Sequence, residues 1–141
     1  MNKLAIVYWS GTGNTEQMAN CIAEGAKEAG AEVSMMGPAE FSSARLNEFG
    51  VIAFGCPAMG AEVLEESEFD PMFTELEGAL TGKKVALFGS YGWGDGQWMR
   101  DWCARCDMAN LYDEEGLIVN EAPDADAQEV CRELGRKLAA W

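Results

Sequence analysis

The sequence alternates short apolar runs with amphipathic helical patterns, and this alternation constrains the fold more than any other feature. Apolar runs of about five residues without polar alternation are typical of strands that are buried on both faces, as in a parallel sheet. Helices between successive strands supply the crossovers that parallel pairing needs. The predicted strands are Leu4–Tyr8, Glu32–Met36, Val51–Gly55, Lys84–Phe88 and a fifth that Asp113–Gly116 interrupts between Leu111–Tyr112 and Leu117–Val119.

Helical patterns fill the segments between these strands. The first helix is predicted from Thr15 to a terminating glycine at Gly30. The last is predicted to begin near Asp126, whose spacing to Glu129 resembles a capping box. Three of its apolar positions are predicted to face the core: Val130, Leu134 and Leu138. The other helices are predicted at Phe41–Phe49, Phe69–Leu80 and Gly96 to about Met108. The prediction is an α/β fold with a doubly wound, five-stranded parallel sheet, helices on both faces, and a ligand at the carboxyl ends of the strands.

Size and charge narrow the class of protein. The 141 residues suit one domain, 1–141, and 48% of them are apolar. Lys and Arg number 10 against 24 Asp and Glu, and the resulting charge of −14 argues against binding nucleic acid or an anionic membrane. The charge favours steering toward a basic partner, or it only keeps the protein dispersed. No apolar run approaches the roughly 20 residues of a membrane span, and Met1-Asn2-Lys3 does not begin a signal peptide. We therefore expect a cytoplasmic monomer.

The first of three loops that leave strand ends has the features of a phosphate site. Its glycines let the backbone wrap around an anion, its hydroxyl and amide groups are donors, and a helix N-terminus follows. It contains no Lys or Arg, it lacks the ending of a nucleotide-triphosphate loop, and Glu16 replaces the third glycine of a dinucleotide fingerprint. The loop consists of Ser10, Gly11, Thr12, Gly13, Asn14 and Thr15.

The other two loops offer groups that suit a planar ring. In the second loop, Met59 has a polarisable side chain that packs well on an aromatic ring, and Glu62 can accept a hydrogen bond from a ring N–H. In the third, glycines surround Tyr91 and Trp93, and exposed aromatics are costly without a planar ligand or a partner. The second loop runs through Gly55, Cys56, Pro57, Ala58, Met59, Gly60, Ala61 and Glu62, and the third through Gly89, Ser90, Tyr91, Gly92, Trp93, Gly94, Asp95 and Gly96.

Together these segments resemble those of flavodoxins, specifically the short-chain kind found in anaerobic bacteria. Ser10–Thr15 matches the family's FMN phosphate loop, Ala58-Met59-Gly60 with Glu62 resembles the loop at the inner face of the flavin, and Ser90–Gly96 resembles the loop whose Trp stacks on the outer face. One position departs, since a short-chain member often has an acidic residue in place of Ala61. The resemblance covers nearly the whole chain and implies a flavodoxin-like sheet with strand order 2-1-3-4-5.

The resemblance also implies a function. It predicts a low-potential one-electron carrier with non-covalently bound FMN, which shuttles between the neutral semiquinone and the anionic hydroquinone and is not an enzyme. The expected partners are redox proteins with basic docking patches, which would face an acidic surface that includes Glu62, Glu65, Glu66 and Asp95.

Two alternatives remain open at this stage. The first is an FMN-dependent NAD(P)H:quinone-type reductase, a function that related folds perform. The second is a dithiol oxidoreductase, because Trp102-Cys103-Ala104-Arg105-Cys106 resembles a WCxxC motif. Such motifs act at a helix N-terminus, whereas a helix from Gly96 would place Cys103 in its second or third turn. The odd number of cysteines, five, argues against a disulfide framework, and the chain has no His to bind a metal.

Overall fold

The computed structural model describes residues 3–141, which form a parallel sheet with helices on both faces. Met1 and Asn2, part of the argument on the N-terminus, lie outside the described residues. The strands are β1 (Lys3–Tyr8), β2 (Glu32–Met36), β3 (Val51–Gly55), β4 (Lys84–Tyr91), β5 (Asn110–Leu111) and β6 (Leu117–Asn120). The helices are α1 (Asn14–Glu28), α2 (Phe69–Leu76), α3 (Gln97–Arg105) and α4 (Ala125–Ala140), with 3-10 turns at Pro38–Glu40, Ser43–Glu48 and Glu77–Ala79.

The predicted topology is confirmed. The sheet has the order β2-β1-β3-β4-β5, and β6 pairs with β4 beyond the end of β5. The predicted fifth strand is therefore divided into two short segments, β5 and β6, along the same edge of β4. The interruption predicted at Asp113–Gly116 lies between them. Every pairing in the sheet is parallel, and β3 is buried along its whole length. No helix within residues 3–141 has both the length and the apolar character to cross a membrane.

Each face of the sheet carries its own apolar core. On one face, Phe69 and Phe73 of α2 pack edge-on against Trp102 of α3, with ring centroids 5.4 and 5.8 Å apart. On the other face, α1 and α4 cover β1 and β3 with small and medium side chains such as Ala19 and Cys131. The aromatic face is therefore the one that supports the second and third loops.

Several predicted boundaries were wrong. Strand β4 does not end at Phe88 but continues to Tyr91, because β6 pairs with its last four residues. Helix α4 is capped by Asp124, whose carboxylate accepts a 2.8 Å hydrogen bond from the N–H of Ala127, and not by Asp126. Val130, predicted to face the core, is 51% exposed, whereas Leu138 is fully buried.

Helices α1 and α4 approach so closely that two positions on their contact lines have no room for a side chain. A Cβ atom at Gly25 would overlap the backbone carbonyl of Arg132, and one at Gly135 would overlap that of Ile22. Two ion pairs on the surface cross the same interface, from Arg132 to Glu24 at 2.9 Å and from Arg136 to Glu28 at 3.5 Å. Exposed pairs of this kind contribute little, so close packing dominates the contact.

We predict that Gly135→Ala lowers the free energy of unfolding by about 1–3 kcal/mol, because the added methyl group forces the helices apart. Urea unfolding measures the loss of free energy. Gly78→Ala is the matched control, since a Cβ at Gly78 meets nothing within 4 Å. Equal stability of the two variants would contradict the close-packing argument.

Candidate functional site

The carboxyl ends of β1, β3 and β4 meet at one rim of the sheet, where a cleft of about 360 Å³ opens. All three predicted loops reach this cleft, so the expected convergence is observed. The structure brings eight of the predicted site residues to its wall: Gly11, Thr12, Asn14, Ala58, Met59, Ser90, Tyr91 and Gly92.

The first loop presents uncharged donors at the start of α1. The hydroxyl oxygen of Ser10 accepts 3.2 Å hydrogen bonds from the N–H groups of Gly13 and Glu16, so it shapes the loop from inside. Gly13 has a φ of 99°, in the left-handed region. The N–H groups of Asn14 and Thr15, the first residues of α1, have no backbone acceptor within residues 3–141 and remain free to bind an anion.

A buried hydroxyl pair ties the first loop to β4. The Thr15 and Ser90 hydroxyl groups lie 2.9 Å apart, and the Thr15 oxygen also accepts the N–H of Ser90 at 3.3 Å. Both residues are buried, with 1% and 5% exposure. The N–H of Ala58 then donates to the carbonyl of Ser90 at 3.0 Å, which attaches the second loop to the same strand. Ser90 therefore joins all three loops.

The second loop is a tight hairpin. The backbones of Met59 and Val63 exchange hydrogen bonds of 2.8 and 3.0 Å, and the chain reverses between them. Gly60 has a φ of 48° and Glu62 one of 57°, so a non-glycine residue occupies the left-handed region as well. We name residues 59–63 the 60s hairpin.

Behind the hairpin, the Glu65 carboxylate closes the turn into α2. It accepts hydrogen bonds from the hydroxyl and N–H of Ser67 and from the N–H groups of Glu68 and Phe69. Burial raises the pKa of Glu65, but these bonds outweigh it and hold the pKa below its ordinary value. With 6% exposure, Glu65 is not part of the acidic surface predicted from the sequence; Glu66 is exposed.

Glu62 does not line the cleft. Its carboxylate lies under Gly94, where any Cβ atom would overlap it, and it faces a smaller cavity between the 60s hairpin and α3. Its Oε1 atom is buried and has no hydrogen-bond partner within the described residues. The hairpin and the third loop therefore meet at this one carboxylate.

The third loop begins at Gly92, after β4, so Gly89, Ser90 and Tyr91 are strand residues and not loop residues as predicted. Tyr91 packs against Trp98 with ring centroids 5.6 Å apart. Trp93 is 67% exposed, as expected of an aromatic held out on glycines, and stands outside the cleft wall. Asp95 forms a 2.9 Å ion pair with Arg100 of α3.

Three residues of the cleft wall had no role assigned from the sequence: Pro57, which belongs to the predicted second loop, and Trp9 and Glu121, which lie outside all three loops. Trp9 directly follows β1, a position that could have signalled its role, and its indole N–H donates to Glu68 at 3.0 Å. No sequence pattern marked Glu121 as a site residue, because it reaches the cleft only through the pairing of β6 with β4. Its N–H donates to the carbonyl of Tyr91 at 2.8 Å, and its φ is 58°.

Comparison with known proteins agrees with this geometry. The family model described as Flavodoxin matches residues 6–135. A flavodoxin of Clostridium beijerinckii is 49% identical over 137 residues, which are 96% of this chain and 99% of that protein. A flavodoxin of Megasphaera elsdenii is 50% identical over 137 residues, which are 95% of this chain and 96% of that protein. The solution structure of two-electron reduced M. elsdenii flavodoxin superposes with a TM-score of 0.88 at 48% identity and covers 98% of this chain and 99% of that one.

The chain belongs to the flavodoxin family. Flavodoxins are electron-transfer proteins with FMN as cofactor, and they are not enzymes. The residues present fit that cofactor: the first loop of this flavodoxin has free N–H donors for a phosphate, and Trp9, Met59 and Tyr91 give the cleft apolar walls. Neither alternative function is favoured by these relatives.

The thiols of this flavodoxin are also poorly suited to dithiol chemistry. Cys103 is the seventh residue of α3, far from the helix N-terminus that would acidify it. Burial raises the pKa of Cys103 and raises that of Cys106 to about 12. Both groups are therefore protonated at neutral pH, whereas the thiolate is the reactive form.

We predict that Glu65→Gln lowers the free energy of unfolding at pH 7 by about 1–3 kcal/mol, because charge-assisted hydrogen bonds to the turn are lost. Since the folded pKa lies below the ordinary 4.5, the contribution is complete above that pH and disappears as the pH falls through the folded pKa. The difference between the two proteins should therefore shrink in acid. Urea unfolding from pH 7 to pH 3 measures it, with Glu66→Gln as the exposed control; a constant difference would refute the assignment.

Proposed function

We propose that this flavodoxin is a low-potential carrier that binds FMN non-covalently and uses the couple between its neutral semiquinone and its anionic hydroquinone. The observation that carries the proposal is the charge of the site. Among the described residues 3–141, no Lys or Arg lines the cleft, whereas Glu121 does. Any negative charge that reduction adds is therefore met by uncharged donors and by further negative charge.

The proposal assigns the predicted residues as follows. The phosphate binds the backbone and hydroxyl groups of Ser10–Thr15, at the positive end of α1. The ring lies against Met59 on one side and Trp93 on the other, so both exclude water from it. Residues 1–141 act as one FMN-binding domain. The other assigned residues are Ala58, Gly60, Glu62, Ser90, Tyr91, Gly92, Gly94 and Asp95.

Repulsion between the negative charge of the fully reduced flavin and the negative charges around it would lower the potential of the second reduction. Two unit charges about 12 Å apart repel by roughly 0.3–1.4 kcal/mol for effective dielectric constants of about 80 to 20. About 1.4 kcal/mol corresponds to about 59 mV for a one-electron couple. The phosphate, Glu121 and a protein charge of −14 contribute several such terms, which together lower the potential of the second reduction.

Stepwise reduction followed by visible spectroscopy tests this function. We expect a yellow protein that passes through a long-lived blue species before it bleaches. Direct two-electron bleaching without the blue species would refute the proposed couple. Steady oxidation of NAD(P)H by the isolated FMN-loaded protein would instead favour the reductase alternative.

Gly60 is proposed to stabilise the one-electron state through its backbone. The peptide between Met59 and Gly60 would rotate to offer its carbonyl to the flavin N5–H, and such rotation is cheap only when one residue is glycine. Gly60 already has a φ of 48°, and no atom lies within 4 Å of a Cβ built there, so nothing around it obstructs the rotation.

We predict that Gly60→Val brings the two one-electron potentials closer together, by on the order of 50 mV, because the rotated peptide needs a backbone conformation that glycine adopts freely and that costs a β-branched residue about 1–2 kcal/mol. A potentiometric titration measures the separation. Gly82→Val is the matched control, since Gly82 has a φ of 73° and equally open surroundings but lies at the opposite end of β4. An unchanged separation in Gly60→Val would rule out this role.

The partners of this electron carrier are redox proteins, and we propose that they dock through basic patches in the cytoplasm onto a monomer. Glu66 and Asp95 are exposed, and they lie in the segments that follow β3 and β4. Attraction between opposite charges speeds encounter and weakens with salt, so a basic partner gives a salt-dependent rate.

A further inference from the structure

The indole ring of Trp9 contacts two separate segments of the chain through two of its edges. Its six-membered ring covers Gly11 of the first loop, since a Cβ atom at Gly11 would lie 3.0 Å from Cη2 and 3.2 Å from Cζ3 of the indole. At another edge, the Nε1–H group donates a 3.0 Å hydrogen bond to the carboxylate of Glu68. Glu68 directly precedes α2, in the turn that the Glu65 carboxylate closes. Trp9 therefore connects the first loop to the start of α2.

The backbone anchors both ends of this connection. The N–H of Trp9 donates to the carbonyl of Gly55 at 3.0 Å, as a continuation of the ladder between β1 and β3. The N–H of Glu68 donates to the Glu65 carboxylate at 2.8 Å, and the carbonyl of Glu68 accepts the N–H of Met72 at 3.3 Å. Because both backbones are held, the hydrogen bond between the two side chains acts mainly on their orientation.

The bond favours one orientation of the indole. Trp9 packs against the aromatic core but is only partly buried, so packing does not enclose its ring. The torsion that turns an indole about its Cβ–Cγ bond has a broad, roughly two-fold preference, and a directional hydrogen bond at one edge selects between the settings. Within residues 3–141, Nε1 of Trp9 has no other acceptor and the Glu68 carboxylate has no other donor. Loss of the Glu68 carboxylate would therefore leave the ring free to turn.

A turn of this ring would alter the cleft. Trp9 lines the cleft together with Gly11 and Thr12 of the first loop and with Met59 of the 60s hairpin. The ring that covers Gly11 is thus a wall of the cleft beside the loop that offers the uncharged donors. A wall that is held in place before the ligand arrives strengthens binding, because less conformational freedom is lost when the complex forms.

We propose that Glu68 is a positioning residue for FMN. Glu68 is not among the described residues that line the cleft, and it acts through Trp9, whose indole it fixes as the wall over Gly11. This role rests on the proposed function, in which FMN lies in the cleft with its phosphate at the first loop. The negative charge of Glu68 has the opposite effect on affinity, because it repels an anionic ligand.

Two variants that remove the same charge but differ in the acceptor separate the hydrogen bond from the charge. Glu68→Gln keeps an amide oxygen for the indole N–H, whereas Glu68→Ala keeps none. We expect Glu68→Ala to bind FMN about threefold more weakly than Glu68→Gln. Dilution of the FMN-loaded protein, followed by the recovery of free-flavin fluorescence, measures both dissociation constants. Glu66→Ala and Glu66→Gln are the matched control pair, since Glu66 is exposed in the same segment, and their dissociation constants should be equal.

The same comparison in a Trp9→Phe background shows whether Glu68 acts through the indole. Phenylalanine keeps an apolar ring in the wall but offers no N–H, so the difference between Glu68→Ala and Glu68→Gln should disappear. Equal affinities of these two variants in the presence of Trp9, or a difference that persists with Trp9→Phe, would overturn the positioning role. If Trp9→Phe alone left the affinity unchanged, the proposed location of FMN in the cleft would be refuted, and the positioning role with it.

The hydrogen bond is also visible in the proton–nitrogen NMR spectrum of the FMN-loaded protein. The Hε1 signal of Trp9, identified by its absence from the spectrum of Trp9→Phe, should move upfield in Glu68→Ala and stay in place in Glu66→Ala. An Hε1 signal that does not respond to Glu68→Ala would overturn the bond. Thermal unfolding of each variant verifies that it is folded. A purely structural role of Glu68 would lower the melting temperature of Glu68→Ala below that of Glu68→Gln without any difference in FMN affinity, and this result would also overturn the proposal.

Discussion

Parallel pairing of β1, β3 and β4 in matched register is the constraint on which the site depends. Tyr8 pairs with Gly55, and Gly55 with Phe88, so the loops that follow these strands leave the sheet at the same height. The ladder even continues beyond the strands: Trp9 donates to the carbonyl of Gly55 at 3.0 Å, and Cys56 to that of Phe88 at 3.1 Å. The cleft is thus an extension of the sheet, and its walls inherit the rigidity of the sheet.

That rigidity suits the phosphate site proposed for the first loop, which would bind an anion without a cation. Flexible basic side chains can move to a phosphate, whereas backbone N–H groups must already point at it. The Ser10 hydroxyl shapes the first loop, and the Thr15–Ser90 pair fixes the start of α1 against β4. These contacts set the donors in position before the ligand arrives, so little ordering is required on binding. The loop Ser10–Thr15 contains no Lys or Arg. Binding of an anion there would therefore depend on this preorganisation of uncharged donors.

The sequence was sufficient for the parts of the molecule that depend on local pattern. The runs Glu32–Met36 and Val51–Gly55 are strands to the residue, and the strand order followed from the family resemblance. It was insufficient wherever a distant segment decides the outcome. Tyr91 became a strand residue because Asn120 pairs with it. Glu65 resembled its exposed neighbours in composition, yet its carboxylate turned inward because three backbone N–H groups at the start of α2 needed an acceptor.

The 60s hairpin combines fixed ends with a free middle, and this combination suits the role proposed for it. Hydrogen bonds between Met59 and Val63 close its base, and the turn capped by Glu65 anchors the chain that follows. At its tip, Gly60 is exposed and a Cβ there would meet no atom within 4 Å. A peptide flip at the tip therefore displaces no packed side chain, and its energy depends mainly on the backbone preference of one residue. For the tip to respond to a single added electron, the flipped and unflipped peptides must differ little in energy. In a uniformly packed loop, the cost of displacing side chains would exceed that small difference.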